Sequence, residues 1–113
     1  MAENHTYRVI VRATFEGLTD AARELLLAEV AEHEGIAGMR FAPEGSLAYD
    51  RNLKAFSMRY VVESDPDDGE EMAGAFAEER AEAYLRERGL GHGELRSSVT
   101  DMDTMKINRK SGR

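Results

Sequence analysis

Arginine residues alternate with apolar residues in several segments that are rich in β-branched and aromatic side chains. Guanidinium groups form paired hydrogen bonds with carboxylates and phosphates, so arginines gathered on one surface could bind a small anion. The arginines that this alternation would place on one face of a sheet are Arg8, Arg12, Arg40, Arg59 and Arg96. Arginine outnumbers lysine twelve to three, and a coding bias toward arginine explains the same residues more simply.

His92, Tyr49 and Tyr60 are the candidate residues for proton transfer in catalysis. His92 lies in a loop ahead of a strand, a position that often carries function, and the tyrosines could join it near a cavity. Tyrosines at strand spacing are also typical of a hydrophobic core. A small cofactor-independent enzyme is therefore one hypothesis, and a structural role of these three residues is the other.

Several kinds of chemistry are excluded by what the sequence lacks. The chain has no cysteine, which excludes disulfides, thiolate metal sites and cysteine nucleophiles. His5, His33 and His92 show no metal-ligand spacing, and we expect neither a metal nor a bound cofactor. Residues 89–93 contain three glycines but follow a predicted helix, whereas the dinucleotide-binding motif follows a strand.

Alternation of apolar and polar residues predicts the strands that position these side chains. Two strong strands are expected over residues 7–15 and 55–63, and a weaker one over 94–102. Residues 39–50 favour one edge strand that is interrupted at Pro43, with a turn at 50–54, and a hairpin is the alternative. The predicted inward residues of the two strong strands are Tyr7, Val9, Val11, Ala13, Phe15, Phe56, Met58, Tyr60 and Val62.

Apolar residues at helical spacing predict two helices. The first covers residues 19–34, with an N-cap at Thr19 or Asp20 and an end at Gly35. The second starts near Pro66 and ends at Gly89. The predicted buried residues are Ala22, Leu25, Leu26 and Val30 in the first helix, and Met72, Ala73, Phe76, Ala77, Ala83 and Tyr84 in the second.

The element order β-α-β-β-α-β predicts an α+β, ferredoxin-like sandwich with one antiparallel sheet and two helices on one face. A single domain, 1–113, is expected, with an ordered core over about 6–102 and a basic, mobile tail over 103–113. The other sheet face has no predicted cover. Three interpretations of this face compete: a polar exposed surface, a homodimer contact seeded by Ile10 and Val61, and a site for a small anion.

The charge and hydropathy of the chain limit its partners. The formal net charge is −7, which repels phosphate backbones and argues against nucleic-acid binding. No apolar run approaches the roughly 20 residues that span a bilayer, so no membrane association is expected. The absence of cysteine and of a signal-peptide pattern favours the cytoplasm.

Three segments resemble a family of small bacterial proteins, mainly actinobacterial, that is known only as a domain of unknown function. They are residues 6–20 (TYRVIVRATFEGLTD), 41–50 (FAPEGSLAYD) and 84–92 (YLRERGLGH). The resemblance covers nearly the whole chain and implies a cytosolic bacterial protein, but it implies no substrate and no catalytic residues. The fold also resembles dimeric α/β-barrel proteins, some of which are cofactor-independent oxygenases or isomerases.

The leading functional hypothesis from the sequence is a non-catalytic binding or accessory module for a small anionic molecule. The alternative is a small cofactor-independent enzyme that uses His92 and a tyrosine.

Overall fold

The structure, a computed structural model, describes residues 4–67 and 69–103. Its strands are β1 (His5–Thr14), β2 (Ser46–Tyr49), β3 (Ala55–Ser64) and β4 (Arg96–Asp101), and its helices are α1 (Asp20–Glu29) and α2 (Gly69–Glu87). The strands form one open antiparallel sheet in the order β2-β3-β1-β4, so the chain is an α+β protein. The predicted basic tail lies outside the described residues apart from Asp103. Neither described helix is both long and apolar enough to cross a membrane.

The two central strands, β1 and β3, carry the alternation that the sequence predicts. Every second residue is buried from Tyr7 to Val11 and from Phe56 to Val62, and the residues between are exposed or half-buried, as the pleat of a strand requires. Ala13, further along β1, is half-buried. Both helices contribute side chains to the same hydrophobic core, including Leu26 of α1 and Leu85 of α2. The face of β1 and β3 that the sequence predicts as inward is therefore confirmed.

Helix α1 begins where predicted but ends early. The Thr19 hydroxyl accepts a hydrogen bond from the backbone N–H of Ala22, which confirms the N-cap. The expected helix to residue 34 is wrong, because the chain tightens into short 3-10 turns at Val30–Glu32 and Gly35–Gly38. The backbone N–H of Tyr49 donates to the carbonyl of His33, so this stretch runs along the outer edge of β2 instead of continuing the helix.

Helix α2 buries mainly small residues, and Leu85 is the one large side chain on its buried face. The buried residues are Ala73, Gly74, Ala77, Ala81 and Leu85. The prediction that Met72 and Phe76 are buried is wrong, since they are 51% and 43% exposed. The cause is close packing: a Cβ atom on Gly74 would lie 2.9 Å from the Ser97 Oγ of β4. Large side chains would push the helix away from the sheet.

The end of α2 follows the predicted capping pattern. Gly89 has a φ of +70°, a left-handed conformation that glycine adopts without strain. The N–H of Leu90 donates to the carbonyl of Leu85, and the Leu90 side chain is buried. The predicted cap at Gly89 with Leu90 packing back is therefore confirmed.

The segment before β2 differs from the single interrupted edge strand that was predicted. Ala42 makes an isolated parallel bridge to Tyr60, whereas Ser46–Tyr49 pairs antiparallel with the same strand. A turn closed by the Gly45 N–H and the Ala42 carbonyl reverses the chain between them, with Gly45 at a φ of +91°. The predicted turn at 50–54 is present, closed by the Leu53 N–H and the Asp50 carbonyl.

Candidate functional site

Strand register brings three of the predicted arginines together on the sheet face opposite the core. Arg12 of β1 lies directly across from Arg96 of β4. On its other side Arg12 faces Ser57, while Arg59 pairs with Ile10 and so lies diagonal to Arg12. Directly opposed and diagonal neighbours on one face of an antiparallel pair interact through their side chains. Arg12, Arg59 and Arg96 are called the arginine cluster below.

The arginine cluster makes no ion pair with the described part of the chain, although Glu16 and Glu94 line the same depression as Arg12 and Arg96. Within residues 4–67 and 69–103, the four ion pairs involve other groups, and no carboxylate lies within 4 Å of these three guanidinium groups. Arg59 donates to the Ser57 hydroxyl at 2.8 Å. Burial, followed by the nearby charge of Arg12, lowers the pKa of Arg59 from its ordinary value.

Arg8 and Arg40 do not join the arginine cluster. Arg8 lies on the same face, but its guanidinium stacks on the Phe41 ring, 4.8 Å from the ring centroid. Arg40 was predicted to extend from a strand on this face, and this placement is wrong, since Arg40 lies in the irregular segment before β2. It lines a separate depression together with Glu32 and Tyr84.

The sheet face predicted to lack cover is partly covered by residues 35–42. The Ser46 hydroxyl donates to the Gly38 carbonyl at 3.2 Å, and Ser46 is buried. A Cβ atom on Gly38 would lie 2.8 Å from the Ala48 Cβ, so this turn packs directly on β2. It leaves Arg12 and Arg96 exposed and Arg59 half-buried, and it adds Met39 and Phe41 at one side.

Two depressions on this face meet at Arg12. The larger, of about 570 Å³, is lined by Arg12, Ala13, Thr14, Glu16, Glu94, Arg96, Ser97 and Ser98. The smaller, of about 270 Å³, is lined by Arg12, Ala13, His33, Gly35, Met39, Ala48, Tyr49, Asp50, Ala55, Phe56 and Ser57. The larger depression offers guanidinium, carboxylate and hydroxyl groups. The smaller one adds apolar side chains.

Glu16, Glu94 and Met39 line these depressions and were missed from the sequence. The period-two pattern, continued one step beyond β1 and β4, could have indicated the two glutamates. The Glu16 carboxylate accepts a hydrogen bond from the Thr14 hydroxyl at 3.2 Å. One of its oxygens lies 2.5 Å from the position that a Cβ atom on Gly93 would occupy. No sequence signal places Met39 there, because it depends on the turn at 35–38.

The glycines around His92 have structural causes. A Cβ atom on Gly91 would lie 2.1 Å from the Glu16 carbonyl oxygen, so only glycine fits at this approach of the two segments. His92 bridges to Phe15, and its Nδ1 lies 2.6 Å from the Gly93 carbonyl. Residues 89–93 pack tightly against the end of β1, which is consistent with their interpretation as a helix cap and a loop.

Neither depression at the arginine cluster brings His92, Tyr49 and Tyr60 together. The Tyr49 hydroxyl donates to the Leu26 carbonyl at 2.6 Å, and the Tyr60 hydroxyl contacts the Met58 Sδ at 3.8 Å. Burial raises the pKa of each tyrosine to about 12. Both hydroxyls are therefore protonated near neutral pH and directed into the core. Of the three residues, only Tyr49 lines either depression at the arginine cluster.

Comparison with known proteins adds one finding to this geometry. The model of a family of unknown function, DUF6204, matches residues 1–113. The chain belongs to this family. Neither a curated protein nor a solved structure matches it. Residues 6–20, 41–50 and 84–92 carry the resemblance to a family of unknown function, and DUF6204 membership confirms it. Membership assigns no substrate.

One further group of polar residues in this DUF6204 chain lies at the end of β4. Ligand atoms of His5, Asp101 and Asp103 lie within 4.8 Å of one another. His5 Nδ1 is 2.8 Å from an Asp101 oxygen, and the N–H of Thr6 donates to Asp103 at 2.8 Å. The hydrogen bond that the Asp101 carboxylate accepts from the His5 ring is the main cause that raises the pKa of His5. These contacts join the start of β1 to the end of β4.

Proposed function

We propose that the chain is a non-catalytic binding module whose open sheet face holds a small anionic molecule. The observation that carries this proposal is the arginine cluster, Arg12, Arg59 and Arg96, which strand register brings together without a carboxylate partner among residues 4–67 and 69–103. Carboxylates and phosphates are the groups that arginine binds with paired hydrogen bonds.

The cost of the arginine cluster favours a bound anion. Like charges directly opposite each other in a sheet destabilise the pairing. Arg59 is half-buried, so its charge is less well solvated than that of a fully exposed arginine. An anion between the guanidinium groups would offset the repulsion, and the partly desolvated surroundings would strengthen the attraction. The Ser98 side chain at the larger depression offers an additional hydroxyl donor.

The proposal is tested by titrating the protein with phosphate and citrate against chloride at equal ionic strength, using calorimetry and thermal unfolding. A ligand that binds only the folded state raises the unfolding temperature. Arg12→Gln should lower the affinity at least about tenfold, since a charge-assisted hydrogen bond contributes about 1.5–3 kcal/mol. Arg86→Gln, at an exposed position in the last turn of α2, is the matched control and should bind like the wild type.

Two results would contradict the proposal. One is the absence of any anion-dependent heat or stabilisation in the wild type. The other is an equal loss in Arg12→Gln and Arg86→Gln, which would indicate a general charge effect and not a site. The enzyme alternative has less support, because the Tyr49 and Tyr60 hydroxyls are directed into the core and His92 lines neither depression.

We also infer a ferredoxin-like architecture and a homodimer formed through the open sheet face. The strand order β2-β3-β1-β4, with both helices contributing to one core, supports the architecture. Ile10 and Val61 are half-buried apolar residues on the open face, and they support the homodimer contact. An actinobacterial origin, which the family resemblance implies, and a cytoplasmic location stay predictions.

A further inference from the structure

The two depressions at the arginine cluster differ in chemistry, and Arg12 belongs to both. The larger one is lined by charged and hydroxyl side chains. The smaller one has apolar contributions from Met39, Ala48 and Ala55. A molecule whose charged group lies on Arg12 would therefore have an apolar surface directly beside it. This juxtaposition distinguishes the site from a simple patch of arginines.

Met39 is the exposed apolar side chain at this position. It is 56% exposed, a large solvent-accessible fraction for methionine. The turn that carries it is held in place, because the Ser46 hydroxyl bonds the Gly38 carbonyl and the N–H of Met39 donates to the Ile36 carbonyl at 3.0 Å. The close approach of Gly38 to Ala48 also leaves no room for this turn to move toward the sheet. Met39 is thus presented beside Arg12 by a packed segment.

We propose that the ligand is an amphiphilic anion: a carboxylate or phosphate that carries one apolar substituent, such as an aromatic ring. Its charged group binds Arg12 and Arg96, and its apolar part covers Met39, Ala48 and Ala55. This inference rests on the proposed anion site. Methionine is suited to the second role, because its flexible thioether adapts to a ring and makes favourable sulfur–aromatic contacts.

The test compares anions that have the same charged group and differ only in the substituent. Calorimetric titration of the full chain uses methyl phosphate against phenyl phosphate, and acetate against phenylacetate. In at least one pair the phenyl compound should bind about tenfold tighter, because it removes apolar surface from water on both partners. The pair that shows the gain identifies the charged group.

Variants then locate the apolar contact. Met39→Ser should remove most of the gain from the phenyl group, so that the phenyl and the non-phenyl compound of a pair bind with similar affinity. Met72→Ser is the matched control, because Met72 is 51% exposed on α2, and it should leave the affinity for every compound unchanged. Arg12→Gln should lower the affinity for the phenyl and for the non-phenyl compound by the same factor.

The outcomes separate this inference from the proposed function. Equal affinity within both pairs would overturn the amphiphilic ligand while the anion site stands. A phenyl gain that persists in Met39→Ser would also overturn it, since the ring would then bind elsewhere. Absence of binding for all four compounds would overturn the inference together with the site, provided that thermal unfolding shows the wild type to be folded.

Discussion

Tyr49 and Tyr60 are both buried tyrosines, but their hydroxyl groups have acceptors of different strength. The Tyr49 hydroxyl makes a short bond to the Leu26 carbonyl, whereas the Tyr60 hydroxyl meets only the Met58 thioether. Carbonyl oxygens are strong acceptors and thioether sulfurs weak ones. Comparing the two residues therefore measures the free energy that the Tyr49 hydrogen bond contributes, because Tyr60 is a similar buried tyrosine without such a bond.

We expect Tyr49→Phe to lower the free energy of unfolding by about 1 kcal/mol, since the usual net contribution of such a bond is about 0.5–1.5 kcal/mol. Tyr60→Phe should cost less than about 0.5 kcal/mol, because its contact with sulfur is long and weak. Urea unfolding of both variants at neutral pH measures the difference. An equal loss in both would show that the Tyr49 hydroxyl bond has no special role.

His5 gives the molecule a pH-dependent contact between its first and last strands. The Asp101 hydrogen bond, and more weakly the charges of Asp101, Asp103 and Asp65, raise the pKa of His5, while burial opposes the rise. A raised folded-state pKa means that the folded protein binds the proton more tightly than the unfolded chain. The stabilisation is thus fully present below about pH 6.5, the ordinary histidine pKa, and is lost as the pH rises through the folded value.

A double-mutant cycle with His5→Asn and Asp101→Asn should show this directly. The coupling free energy between the two residues should be favourable at about pH 5 and smaller at about pH 9, because the histidine is neutral at the higher pH. Urea unfolding of the four proteins at each pH is the measurement. A coupling that is the same at both values would mean that the contact does not depend on the histidine charge.

At the scale of elements, α2 lies close to the sheet because the side chains between them are small. Ala77 is 0% exposed, while its neighbour Ala75 is exposed. Ala77→Leu should lower the free energy of unfolding by about 1–3 kcal/mol through overpacking. Ala75→Leu is the matched control and should change it by less than about 0.5 kcal/mol, as at other surface positions.

Thermal and urea unfolding of the two leucine variants measure this difference. Leucine and alanine are both good helix formers, so helix propensity contributes little to the comparison. If Ala77→Leu lowered the free energy of unfolding no more than Ala75→Leu, the interpretation that α2 packs tightly on the sheet would be wrong. The large-residue face with Met72 and Phe76 would then be the better interpretation of this helix.

Local rules made much of the fold predictable. The Thr19 cap and the Gly89 end depend on a few neighbouring residues, and the inward faces of β1 and β3 depend on alternation alone. The buried face of α2 could not be predicted in this way. Both of its faces carry apolar residues, and the distance between the helix and β4 decides which face is buried.

The same distinction applies to the candidate site. Alternation within strands places Arg12, Arg59 and Arg96 on one face, and strand pairing then brings them together. Arg40 and Met39 lie in a segment whose course depends on a turn and on one parallel bridge at Ala42. Neither the turn nor the bridge produces a periodic sequence pattern. The positions of Arg40 and Met39 relative to the arginine cluster could therefore be found only from the structure.

At the scale of the whole molecule, the arginine cluster bears on how two copies could pair. In an isologous contact the same surface of each copy meets the other around a two-fold axis. Pairing through the open sheet face would therefore bring two arginine clusters toward each other, which is unfavourable without counter-ions. A polyvalent anion between them would reverse this effect. The homodimer and the anion site are thus linked on electrostatic grounds.

We expect dimer formation to depend on the anion that is present. In sedimentation velocity at constant ionic strength, the dimer fraction should be higher in phosphate than in chloride. The variant Arg12→Gln with Arg96→Gln should dimerise in chloride, because the repulsion is reduced. Arg23→Gln with Arg86→Gln, both exposed on helices, is the control, since each pair of changes takes the formal net charge from −7 to −9. A monomer in all conditions, or a dimer insensitive to the anion and to both variants, would rule out pairing through this face.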